Sequence, residues 1–463
     1  MTLAIGRIFS SFARRSALAA LLIGAALPAA AETLGDTLVA AYRHSALLDQ
    51  NRALLRAADE DVATAMSALR PVVEWALSHQ FTETNTEYSN SESTVTTLGL
   101  TASMTLYDFG RSRAAIDMAK ESVLSTRYAL LAVEQDILLD AVQAYMDVRE
   151  AIEQVDLQQN SVRVLGQELQ AAQDRFEVGE ITVTDVALAS AQLAASRASL
   201  SAAEGELEVA REAYAAATGA KPKGLASPPP LPKRPASLAA AQATAQKTHP
   251  SILQAGREVA AAELNIVAVN SERNPTISGS ANALVDKERN EQNTLGVEMK
   301  QTIYSGGRLS ATSRKAMANR DAARSTLLNA SRQVNQAVGN AWANIDVAKA
   351  QIGAIEEQIK AARQAYDGVR EEAMLGARTT LDVLDAEQSL LEAHADKISA
   401  ETNLQLAHYQ LLAAMGLLTV KDLKLGIPTY DPSAYYNAVR DAPYTSRQGE
   451  SLDRVLKRIN PGQ

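Results

Sequence analysis

Asp382 and Asp385 stand three residues apart, a spacing that puts both carboxylates on one face of a helix. Held close, such groups repel one another or gather cations. Arg378, just upstream, carries a planar fork of donors able to grip an oxygen-bearing partner on a neighbouring helix. The bland reading of the same residues is equally available, because carboxylates at helix starts are favoured by the helix dipole alone. Little else could do chemistry. The five histidines (His44, His79, His249, His394 and His408) are scattered without ligand spacing, so no metal is expected. Gly306-Gly307 lacks the Gly-Lys-Ser/Thr ending of a phosphate loop. No nucleophile–base pair stands out, so neither an enzyme nor a cofactor is expected.

The bulk properties narrow the class further. The 463 residues carry a formal charge of -9 and show no basic stripe, which argues against a nucleic-acid partner. There is no cysteine, hence no disulfide, thiolate metal site or iron–sulfur cluster. Residues 1–31 read as a secretory signal: Arg7, Arg14 and Arg15, an apolar run from Ala17 to Ala31, and Pro28-Ala29-Ala30-Ala31 before Glu32. No later segment offers eighteen consecutive apolar residues, so a helical membrane protein is excluded.

The elements that position these groups come in duplicate. Tyr107-Asp108-Phe109-Gly110-Arg111 recurs as Tyr304-Ser305-Gly306-Gly307-Arg308. Gly179 with Thr184-Asp185-Val186 recurs as Gly376 with Leu381-Asp382-Val383, and Ala217-Thr218-Gly219 as Ala414-Met415-Gly416. All three pairs lie 197 positions apart. His44-Ser45-Ala46 resembles His249-Pro250-Ser251 at an offset of 205. The organisation expected is a first repeat over 32–220, a proline-rich extended linker over 221–235, a second repeat over 236–418, and an irregular segment with a disordered tail over 419–463.

Each repeat begins with a helical stretch, from Thr33 to Leu69 in the first, followed by two alternating segments. Val73, Trp75, Leu77, His79 and Phe81 oppose Glu74, Ala76, Ser78 and Gln80. Leu98, Leu100, Ala102, Met104 and Leu106 oppose Thr97, Gly99, Thr101, Ser103 and Thr105. The polar run between them, Thr82 to Thr94, suits a solvent loop. In the second repeat Ile277, Gly279, Ala281, Ala283 and Val285 form one row, the loop is Asp286 to Asn293, and Leu295, Val297, Met299 and Ile303 form the next row. Strands of about ten residues are long enough to cross a membrane when tilted. Glu298 and Lys300 would then face a watery lumen. Four strands cannot close a barrel, and open edges in hydrocarbon leave peptide groups unpaired, so a membrane reading requires several chains. A soluble hairpin with one wet side is the alternative.

The rest is helical. Gly110 to Phe176 contains no proline, and Leu309 to Glu372 repeats it. At 1.5 Å per residue, each spans on the order of 100 Å. Ile116, Ala119, Val123, Thr126, Leu130, Val133 and Ile137 fall at alternating steps of three and four, a coiled-coil seam. Thr182 to Thr218 and Thr379 to Met415 are the returning arms.

The two strand-to-helix turns, the two Gly-centred helix turns and the duplication together resemble the TolC family of outer membrane efflux proteins. The Leu375-Gly376-Ala377-Arg378-Thr379-Thr380-Leu381-Asp382-Val383-Leu384-Asp385 turn is the most specific. The resemblance implies a mixed α+β membrane protein: a homotrimer with a twelve-stranded transmembrane β-barrel, four strands per protomer, continued by a long periplasmic α-helical coiled-coil barrel. It implies outer-membrane lipid around the strands, and a periplasmic adaptor protein with an inner-membrane pump or ABC secretion transporter at the far end. The function implied is a passive exit duct for small toxic compounds or secreted proteins. The family gate maps onto Thr184 and Asp185 of one turn and Arg378, Asp382 and Asp385 of the other, with Gly179 and Gly376 at the tips. Arg378 would anchor on Thr184 or Asp185. The tyrosine that the family sets five residues before the gate arginine is replaced here by Ala373, with Tyr366 seven residues further back. Gly110 and Gly307 mark the strand–helix bends, and Arg111 and Arg308 the headgroup level. The rival readings are a soluble periplasmic coiled-coil adaptor and a filament-like helical protein.

Overall fold

The computed structural model describes residues 31–428, 430–439 and 454, so all but the last residue of the signal expected over 1–31, and most of the tail beyond 439, lie outside the described residues. In chain order the elements are α1 Leu34–His44, α2 Ala46–Ser67, β1 Val72–Thr86, β2 Ser89–Tyr107, α3 Arg111–Glu177, α4 Val183–Thr218, α5 Leu238–Thr248, α6 Pro250–Ser271, β3 Thr276–Asp286, β4 Glu291–Lys300, α7 Arg308–Met374, α8 Thr380–Ala414 and α9 Pro432–Val439. Helix–helix–strand–strand–long helix–helix thus occurs twice. The helical stretch expected from Thr33 to Leu69 is divided at Ser45, whose extended backbone ends α1 and whose side chain caps α2 at Leu48 N. Its counterpart divides at His249 in front of Pro250.

The four strands form one antiparallel sheet in the order β1-β2-β3-β4, leaving β1 and β4 as edges. The apolar rows are continuous across it. Trp75 pairs with Leu100 and Leu100 with Ala283; Val73 pairs with Ala102, Ala102 with Ala281 and Ala281 with Leu295. Glu74, Thr101, Asn282 and Thr294 lie in register on the other side. The apolar row is bare: Trp75 is 74% exposed, Leu295 87% and Val297 71%. One expectation is corrected. The run from Thr82 to Thr94 is strand on both sides of a two-residue turn at Glu87-Tyr88, not loop, because β1 and β2 pair from Val72↔Ser103 out to Thr86↔Ser89. A hairpin wet on both faces has no hydrophobic alternation to betray it. The second hairpin also extends to its tip, where Asn290 N donates to Asp286 Oδ1 at 2.8 Å, so the expected loop Asp286–Asn293 shrinks to a short turn. β4 stops at Lys300, leaving Ile303 outside the strand and almost fully exposed.

Both long helices run 67 residues without a break, and Gly166 does not interrupt α3. Ile116, Val123 and Leu130 of the seam are buried at seven-residue steps. Beyond Leu130 the buried stripe widens to Leu138, Ala141, Val142, Tyr145 and Val148, because α1, α2, α4 and the segment after α8 converge on α3 there. A second cluster joins Ala241 and Ala245 of α5, Val338 and Ile345 of α7, and Leu411 and Met415. Toward the turns at the far end of the long helices, buried apolar contact falls to Leu165, Leu193 and Leu384. Hydrophobic burial therefore anchors the middle of the bundle far more than its tips. None of the described helices is long and apolar enough to cross a membrane.

Candidate functional site

The two helix turns at the sheet-distal end are built alike. Thr182 accepts at its Oγ1 from Asp185 N, while Asp185 Oδ2 accepts from Thr182 N at 2.9 Å and from its hydroxyl at 2.7 Å. Thr379 and Asp382 make the same reciprocal cap, at 2.9 and 2.8 Å. This capping box satisfies donors that a helix start leaves open. Its hydrogen bonds hold both carboxyls below the usual range: those from the Thr182 hydroxyl and backbone for Asp185, and those from the Thr379 backbone and hydroxyl for Asp382. Asp185 and Asp382 are therefore committed structurally as well as charged. Asp385, one turn on, is exposed, as is Thr184. Gly179 and Gly376 occupy the turn apices at φ 80° and 77°.

Arg378 does not reach Thr184 or Asp185 within the protomer. Its Nε donates to Glu372 Oε2 at 2.8 Å, folding back over its own turn. The arginine that ties the two turns together is Arg175, near the end of α3. Its Nη2 donates to the carbonyl oxygen of Ala373 at 3.1 Å, and its Nε to Glu180 at 3.3 Å. Sequence reasoning passed over Arg175 because its principal partner is a backbone oxygen 198 residues away. Above the tips, Arg370 pairs with Glu168 at 3.3 Å, and Gln192 donates to Gln388 at 3.4 Å. Ala373 itself is buried. Val178, Val183, Met374 and Leu375 around the turns are apolar and each more than two-thirds exposed.

At the opposite end, the strand-to-helix junctions need glycine. Gly110 and Gly307 hold left-handed backbone at φ 89° and 88° and begin α3 and α7 without a side-chain cap of their own. Asp108 receives Ser112 N at 2.8 Å in the first junction, and Ser305 Oγ receives Leu309 N in the second. Arg111 is exposed, whereas Arg308 pairs with Glu272 at 3.4 Å. No group of three or more His, Asp or Glu side chains converges as a metal site among the described residues.

This twofold fold, with four exposed strands at one end and matched helix turns at the other, has a match in sequence. The profile of the family described as outer membrane efflux protein fits residues 38–220 and 242–417, one segment in each half. The chain belongs to that family. It is 34% identical over 445 residues to the outer membrane efflux protein BepC of Brucella suis, covering 94% of this chain and 97% of BepC. It is 24% identical to the outer membrane protein TolC of Escherichia coli, over 86% and 85% of the two chains. A crystal structure of CusC superimposes with a TM-score of 0.76 at 19% identity, over 84% of this chain and 92% of that one, which speaks for the fold. As a member of the efflux family the protein is an outer-membrane exit duct with a periplasmic extension, and it is passive rather than catalytic. The adaptor reading falls with the family assignment, since none of these relatives is an adaptor.

Proposed function

We propose that three copies of this chain close their sheets edge to edge into a twelve-stranded barrel, continued by a helical tunnel whose narrow mouth is the paired tips. The supporting observation is the sheet itself. It has two unpaired edges, β1 and β4, and a bare apolar row running across all four strands. In hydrocarbon such edges must be paired, and only neighbouring copies can supply the strands. Residues 32–220 and 236–418 act as the two repeats, joined by the 221–235 strap, with Leu423, Leu425 and Ile427 of the following segment packed on the middle of the bundle. Thr184, Asp185, Arg378, Asp382 and Asp385 line or brace the mouth, with Asp382 and Asp385 as a carboxylate ring under threefold symmetry. Gly179 and Gly376 mark its rim, and Gly110, Arg111, Gly307 and Arg308 the membrane level.

Association with a periplasmic adaptor and an inner-membrane transporter follows from family membership. In this reading the tips meet the adaptor, and energy comes wholly from the transporter. The cargo is small toxic compounds or secreted polypeptide. Purified protein added to planar bilayers tests the channel: discrete conductance steps are expected, and a bilayer left silent at every protein concentration would contradict it.

A further inference from the structure

Just above the tips, one carboxyl oxygen is buried without a partner. Glu387 on α8 is 8% exposed, and its Oε2 meets no hydrogen-bond donor among the described residues. Leu384, three residues earlier, packs with Leu165 of α3 and Leu193 of α4, so Glu387 enters the contact that holds the lower bundle together. Glu168 faces it from α3, and Arg370 and Tyr366 from α7. Arg370 is already engaged by Glu168 at 3.3 Å. On the α4 side, the neighbouring contact is the neutral pair Gln192 and Gln388. Two carboxylates thus share one guanidinium between three helices, and only one of them is neutralised by it.

We propose that Glu387 is a proton-operated latch of the periplasmic mouth: neutral, it lets α8 stay packed on α3 and α7; ionised, it loosens that contact. The proposal deepens the reading of the tips as the mouth and rests on it. Burial first, then the charge of Glu168, raises the Glu387 carboxyl from 4.5 to about 7, against the pull of Arg370. Because the packed state has the raised value, the latch is complete below the ordinary glutamate range. It is lost as pH rises through about 7. Acid therefore tightens the mouth and alkali frees it. The tip carboxylates Asp185 and Asp382, held low by their caps, stay ionised across that window. His394, two turns along α8, is lowered from 6.5 by burial and by Arg363 and Lys397.

The test pairs an infrared carboxyl titration of the purified detergent-solubilised protein with single-channel recording, on wild type, Glu387→Gln and Arg378→Ala. The protonated-carboxyl band should hold two components in wild type, one fading near pH 7 that is missing from Glu387→Gln and one fading near pH 6, from Asp59, that persists in both. Wild-type open probability should rise about tenfold from about pH 5.5 to about pH 8, and Glu387→Gln should flatten that rise to about twofold or less. Absence of a component that disappears in Glu387→Gln overturns the proposal. So does a band accompanied by the same pH profile in Glu387→Gln as in wild type. If Arg378→Ala also leaves conductance untouched, the mouth reading fails with it; if Arg378→Ala alters conductance, only the latch is lost.

Discussion

Arg175 donates from Nη2 to the carbonyl oxygen of Ala373 at 3.1 Å, joining the end of α3 to the end of α7. The two tips of a protomer are tied by this bond, by the Arg370–Glu168 pair and by very little buried apolar surface. Truncating Arg175 should therefore free the tips without unfolding the bundle, whose core lies elsewhere. Arg175→Ala is expected to raise single-channel conductance severalfold at unchanged melting temperature, and the recording itself checks it. Unaltered conductance would remove Arg175 from the closure.

Asp382 and Asp385 differ in what they do besides carry charge. Asp382 also accepts from Thr379 in the capping box that starts α8. Asp385 is exposed. Asp385→Ala should weaken block of the channel by divalent and trivalent cations with no stability cost. Asp382→Ala should weaken block and also loosen the start of α8. Titrating the blocking cation during conductance recording measures the first effect, and thermal melting the second.

Gly416 closes the second repeat at φ 75°, and a Cβ there would lie 2.7 Å from His249 Cα and 2.8 Å from the Thr248 oxygen. Both obstacles are backbone, so Gly416→Ala combines left-handed strain with a clash and should destabilise by about 2 kcal/mol or more. Its counterpart Gly219 meets the His44 ring, a side chain that can swing aside. Gly219→Ala should accordingly cost less. Comparing the two melting temperatures checks the order.

Asp59 is buried on α2, with neither oxygen hydrogen-bonded among the described residues. Burial raises it to about 6 despite Arg127, with Glu60 adding to the rise. A carboxyl raised in the folded state stabilises fully below the ordinary aspartate range, and that contribution is lost as pH climbs through about 6. Stability should fall between about pH 5 and about pH 7.5 in wild type, and Asp59→Asn should flatten part of that fall. Denaturation at the two pH values measures it.

Much of this could be read from residue patterns. The 197-residue offset located both junctions and both tips, and the alternating rows found the shared apolar row, because period two survives wherever one face is apolar. The repeated histidine and glycine pairs also proved to be neighbours, Gly219 against His44 and Gly416 against His249. Legibility failed where the signal is not local. Thr82–Thr86 and Ser89–Thr94 are strand held by cross-strand pairing alone. Arg378 turned back to Glu372, and Arg175 bound a distant carbonyl, choices made by tertiary geometry rather than spacing. Glu387 looked like any polar helix residue until α3 and α7 were packed around it.

Closure of the sheet by neighbouring copies carries the rest of the account, and the mass of the purified protein by native mass spectrometry from detergent tests it most directly. A complex of three chains, dispersing or aggregating when detergent is withdrawn, is the predicted result. A single chain that stays monomeric and soluble in plain buffer would contradict it.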